Sequence, residues 1–64
     1  MFQLVATIYV PSKPSRFAHR QVLAVGTEKK LRSESHRWSL VAREWASSFE
    51  LEDGYEIRLK LKAM

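Results

Sequence analysis

The stretch that decides the fold is GYEIRLKLK, which runs from Gly54 to Lys62. Apolar and charged side chains alternate along it; the apolar ones are Tyr55, Ile57, Leu59 and Leu61, and the charged ones are Glu56, Arg58, Lys60 and Lys62. A period of two is typical of a β-strand, because successive side chains of a strand point to opposite faces. The stretch therefore predicts a strand with one apolar and one charged face. The charged face is either a site for an anionic partner or the solvated side of a small sheet.

Two more strands are predicted towards the amino terminus. From Phe2 to Val10, in FQLVATIYV, every even position is apolar, which favours a strand with one fully buried face. The run RQVLAV, from Arg20 to Val25, is largely apolar and ends at Gly26. It predicts a second strand antiparallel to the first, because parallel pairing would need a longer crossover.

The segment between these strands, residues 11–20, is PSKPSRFAHR. Its two prolines remove backbone donors, and its serines and basic residues break any periodicity. We predict a mobile basic loop here.

A helix is predicted from about Glu28 to Ser48. Thr27 offers an N-cap oxygen, and the carboxylate of Glu28 suits the first turn. Apolar residues recur at helical spacings along one side of this segment: Leu31, Trp38, Val41, Ala42, Trp45 and Phe49. A competing start at Ser33 or Ser35 would leave the residues after Thr27 as a loop or a strand extension.

The connection to the last strand, SSFELEDGYEI (residues 47–57), has two interpretations. A three-residue loop of Glu52, Asp53 and Gly54 would make a hairpin that sets Leu51 against Tyr55. The alternative, which we prefer, is a plain turn from helix to strand. The predicted order is β-β-α-β, an α+β fold with a three-stranded antiparallel sheet and one helix packed on one face.

Length and composition are typical of one small folded domain spanning residues 1–64. A chain of 64 residues buries only roughly 60% of its unfolded surface, which leaves little stability for an elaborate site. There is no cysteine, and the first apolar run has no charged segment before it and is too short to span a bilayer. We therefore expect a cytoplasmic protein that makes no membrane contact.

Signals for enzymatic chemistry are weak. His19 and His36 have no carboxylate at a spacing that suggests a relay, and two glycines make no phosphate-binding loop. Carboxylates cluster around residues 50–56 without the spacing of a calcium loop. We expect both histidines at the surface, no catalytic site, no cofactor and no metal.

Signals for binding are stronger, and the net charge is +4. If the apolar side of the last strand faces the helix, its cations lie on the open face of the sheet, beside Tyr9 of the first strand. The predicted partner-binding residues are Arg58, Lys60, Lys62, Tyr9, Lys13, Arg16, Phe17 and Arg20. The simpler interpretation is that charges on a strand only discourage aggregation of sheets.

The stretch AREWASSFELEDGYEIRLK, residues 42–60, resembles the small T7-type bacteriophage inhibitor of host RNA polymerase. The likeness rests on Glu44-Trp45 near the helix end and on the run from Gly54 to Ile57 that opens the last strand. The resemblance implies a strand-strand-helix-strand order and a small protein that disables a large host machine in the host cytoplasm. It also implies that Arg58 and Lys60 lie on the strand that engages the polymerase.

Three classes of function follow as expectations. The first is a non-enzymatic binding protein, a monomer or weak homodimer, that grips an acidic surface on a host protein. The second is a module that binds single-stranded nucleic acid through the same face. The third is a small assembly subunit that oligomerises by edge-strand pairing. Trp38 and Trp45 are expected in the core; an exposed tryptophan would instead be a candidate interface residue.

Overall fold

A computed structural model describes residues 1–64. The elements, in chain order, are β1 (Phe2–Val10), β2 (Lys13–Gly26), α1 (Glu28–Ser33), α2 (Ser35–Ser47) and β3 (Glu56–Ala63). The three strands form one antiparallel sheet in the order β2-β1-β3, with β3 at one edge. The predicted α+β class and the three-stranded antiparallel sheet are confirmed.

The second strand is longer than predicted. It begins at Lys13, with only two residues between it and the end of β1, so the loop predicted for residues 11–20 is wrong from Lys13 onward. Strand pairing outweighs the local signals, because β1 supplies hydrogen-bonding partners along this segment. Pro14 is tolerated because β2 is an edge strand, on which half of the backbone groups face away from the sheet. Two of the three register shifts against β1, on either side of Tyr9, fall in this segment and absorb its irregular sequence.

The third strand pairs with β1 without interruption. Eight consecutive pairs keep one register, in which Leu61 lies opposite Leu4, Leu59 opposite Ala6 and Ile57 opposite Ile8. The apolar sides of the two strands therefore share one face of the sheet, as the alternation predicts.

The predicted helix is divided into two. The Thr27 hydroxyl accepts a hydrogen bond from the Lys30 backbone N–H at 3.2 Å, which caps α1 as expected. Glu34 has φ −107° and ψ 25°, outside helical geometry, and α2 begins at Ser35. Both of the starts considered from the sequence are thus used, and the break at Glu34 separates them.

The core lies between the helices and one face of the sheet, with the central strand β1 in its middle. The residues that are at most 6% exposed on this side are Leu4, Ala6, Ile8, Leu31, Ala42 and Ala46. Trp38 and Trp45 are half-buried. In α2 they flank the small alanines Ala42 and Ala46, and this helix packs against both outer strands, β2 and β3.

The connection from α2 to β3 contains no strand, so the hairpin interpretation is wrong and the plain turn is confirmed. Gly54 has φ +87°, which favours glycine, and a Cβ there would lie 3.2 Å from Cγ of Pro11. The Ser12 backbone N–H donates to Oε1 of Glu52 at 2.6 Å. These contacts join the connection to the turn between β1 and β2.

Candidate binding surfaces

The basic open face is the side of the sheet opposite the helices. It carries the odd residues of β1 and their partners, with Val5 opposite Lys60 and Thr7 opposite Arg58. A shallow cavity of 150 Å³ lies on it, lined by Val5, Thr7, Tyr9, Phe17, Arg20, Lys60 and Lys62. The fold therefore brings residues from all three strands to one depression.

Two aromatic side chains lie at one end of this face. Tyr9 and Phe17 are register partners across β1 and β2. The Arg58 guanidinium carbon lies 4.6 Å from the centre of the Tyr9 ring, and that of Arg20 lies 5.8 Å from the centre of the Phe17 ring. Both distances are within the range of cation–π attraction. Phe17 is still 51% exposed, so it is available to a partner.

Positive charge on the basic open face exceeds negative charge. Oε2 of Glu56 lies 3.3 Å from Nη2 of Arg58, and this hydrogen bond and charge raise the pKa of Arg58. The other salt bridges of the protein lie on the helices, so Arg20, Lys60 and Lys62 have no acidic partner. Three cations are therefore free to meet an anionic surface.

The floor of the depression is apolar. Val5 is only 2% exposed, although no second layer of secondary structure covers this side of the sheet. The alkyl parts of long cationic side chains can cover such a residue while their charged ends reach water. We interpret the depression as an apolar floor with a cationic rim.

Six of the eight predicted partner-binding residues come together on this face: Tyr9, Phe17, Arg20, Arg58, Lys60 and Lys62. Lys13 and Arg16 are exposed in the first part of β2 and do not line the depression. Their spacing from Arg20 along an edge strand takes them beyond it.

The histidines have different surroundings. His19 was expected at the surface of a loop, but it is half-buried in β2, and its ring stacks on Phe49 with 3.7 Å between ring centres and 19° between planes. Phe49 also meets Trp45 edge to face at 5.6 Å. This aromatic row connects the end of α2 to β2. His36 is exposed, as expected. No group of three or more His, Asp or Glu side chains is arranged to hold a metal ion.

A second surface, which no pattern in the sequence indicates, is the helix–β3 groove. It is formed by two adjoining cavities of 440 and 190 Å³ between the helices and β3, and both are lined by Ser39 and Leu59. The larger one also touches Leu31, Trp38 and Leu61. The indole N–H of Trp38 is buried without a hydrogen-bond partner. The groove exists because small serines of α2, Ser35 and Ser39, face the edge strand β3. This arrangement depends on how α2 packs on the sheet and is not visible in the sequence.

No protein-family model matches the chain, and no curated protein or solved structure shows a significant match. Neither helix combines the length and the apolar character that crossing a membrane requires. Function is therefore inferred from the geometry of these two surfaces.

Proposed function

We propose that the protein is a small non-enzymatic binding protein whose basic open face recognises an acidic surface on a larger protein. The observation that carries this proposal is the depression that joins an apolar floor, the exposed ring of Phe17 and three cations without acidic partners. The resemblance in residues 42–60 makes a host macromolecular machine the proposed target, with RNA polymerase first and bacteriophage as the proposed origin.

The physical argument combines charge with burial. Unpaired cations steer an acidic partner and set its orientation, which raises the association rate. Aromatic and arginine side chains concentrate binding energy when a partner excludes water from them. Tyr9 and Phe17, each beside a guanidinium, supply such anchors on the sheet.

The test is affinity capture from nuclease-treated bacterial lysate with the wild-type protein and a charge-reversed variant. Lys60→Glu with Lys62→Glu removes the free cations of β3. The matched control is Lys29→Glu with Lys30→Glu, which changes the net charge equally at exposed positions of α1. We expect a stoichiometric protein partner that the control retains and the β3 variant loses. Equal capture by all three folded proteins would contradict the proposal.

A second candidate function is binding of single-stranded nucleic acid. The observation that favours it is the cross-strand pair of Tyr9 and Phe17 beside free cations, because bases stack on such rings while cations contact phosphates. With three free cations engaged, a slope of about −0.7 per contact predicts roughly 20-fold weaker binding between 50 and 200 mM salt. Fluorescence anisotropy with a labelled oligonucleotide would show this, and Phe17→Ala would weaken binding whereas Leu40→Ala, at an exposed position of α2, would not. Binding that salt does not change would rule out this candidate.

A further inference from the structure

β3 presents a regular, unpaired edge. The strand order β2-β1-β3 leaves its outer side without a neighbour, and its eight pairs with β1 contain no register shift. The opposite edge strand, β2, has three register shifts and contains Pro14. A straight edge of free backbone groups is a template on which another extended chain can pair, whereas bulges and prolines discourage such pairing. Of the two edges, β3 is the one suited to accept a strand.

The apolar side of this edge is incompletely covered. Leu59 is 37% exposed, and the helix–β3 groove runs beside it. The two cavities of the groove follow one another along β3, the larger beside Leu61 and the smaller beside Ile57. Side chains two residues apart on a strand are separated by about 6.6–6.8 Å and point to the same face. Successive apolar side chains of an added strand would therefore enter successive cavities.

The charged side of the edge selects the partner. A second copy of β3 would place cations against cations: antiparallel pairing centred on Leu59 sets Arg58 opposite Lys60, and pairing centred on Lys60 sets Arg58 opposite Lys62. Like charges directly opposite each other destabilise a sheet. Acidic side chains at those positions would instead pair with Lys60 and Lys62, which have no acidic partner within the protein.

We propose that β3 accepts an extended segment of a partner protein as a fourth strand, and that acidic and apolar residues alternate in this segment. Its acidic side chains lie beside Lys60 and Lys62, and its apolar side chains fill the helix–β3 groove. This inference rests on the proposed function, because it gives the form of the acidic surface that the protein recognises.

The test measures binding of a fluorescein-labelled synthetic peptide in which glutamate alternates with valine over nine residues. Two control peptides have the same composition, one with all its glutamates grouped at one end and one with N-methylated backbone amides. We expect saturable binding of the alternating peptide, and at least tenfold weaker binding of both controls. Equal binding of the N-methylated peptide would overturn the inference, because strand addition needs backbone hydrogen bonds.

Protein variants test the groove directly. Ser39→Trp fills the space shared by the two cavities, and we expect at least tenfold weaker binding of the alternating peptide. The matched control is Leu40→Trp, at the neighbouring position, which is 52% exposed and does not line the groove. Leu59→Lys, on the strand side, provides a second variant, and circular dichroism verifies that each variant folds. Unchanged binding by the folded groove variants would overturn the inference.

The outcomes separate this inference from the proposed function. If the alternating peptide does not bind, while lysate capture depends on Lys60 and Lys62, strand addition is wrong and the basic open face alone binds the partner. If capture does not depend on these lysines, the proposed function fails whatever the peptide does. Sedimentation velocity tests whether a second copy of the protein occupies the β3 edge. A stable dimer that prevents binding of the peptide would assign the edge to a second copy and overturn the inference.

Discussion

Replacing Ile8 with alanine tests whether the stability of the protein comes from the core between the sheet and the helices. Ile8 is fully buried and is the largest side chain in the protein with less than 2% exposure. It lies on central strand β1, opposite Ile57 on one side and His19 on the other. Its loss would leave a cavity at the centre of the layer between sheet and helices.

The expected loss is a large part of the total stability. Ile→Ala in a core costs about 2–5 kcal/mol, and a chain of 64 residues has about 3–10 kcal/mol in all. Ile8→Ala should therefore be largely unfolded near body temperature or have a strongly lowered melting temperature. The milder Ile8→Val should lower the free energy of unfolding by about 0.5–1.5 kcal/mol. Each kcal/mol lost should lower the melting temperature by about 4–8 °C.

Urea denaturation followed by tryptophan fluorescence measures these losses, because Trp38 and Trp45 are both half-buried. The control is Val25→Ala in β2, where the side chain is 52% exposed and truncation should cost below about 1 kcal/mol. Equal losses for Ile8→Ala and Val25→Ala would refute the reasoning, because a centrally packed side chain cannot be as dispensable as an exposed one.

Three further predictions concern local features. Gly54→Ala should destabilise the protein by about 1–2 kcal/mol, because φ is +87° and Pro11 is close, whereas Gly26→Ala meets only ordinary contacts at 3.8 Å and should be much milder; thermal melts of the two compare them. Thr27→Ala should cost about 1 kcal/mol through loss of the cap on α1, and Thr27→Ser should restore most of it in urea titrations. Phe49→Ala should cost about 1–3 kcal/mol and speed amide exchange in residues 13–20; unchanged exchange there would contradict the stacking on β2.

The two surfaces share one strand. The open-face side of β3 carries Lys60 and Lys62, and its other side borders the helix–β3 groove through Leu59 and Leu61. A partner strand added at this edge would meet both sides at once. The strict alternation in GYEIRLKLK is what makes this possible, since each face of the strand has one kind of side chain.

Residues 11–20 show why part of the site escaped prediction. Two prolines and several polar residues predict a loop, and nothing local indicates that Lys13, Phe17, His19 and Arg20 pair with β1. Strand propensity depends on the neighbouring strand and on burial more than on the residues themselves. Phe17 and Arg20 were predicted partner-binding residues, and their place on the basic open face follows from the register of β2.

The sequence by itself determined the features that depend on neighbours along the chain: the alternation of β1 and β3, the cap at Thr27 and the apolar side of the helices. Each follows from a periodicity or from a hydrogen bond within one turn. Only the tertiary structure decided which side chains from different strands meet, how close α2 lies to β3, and that His19 stacks on Phe49. These depend on strand register and on packing between distant segments, because a shift of one residue would reverse the faces of a strand.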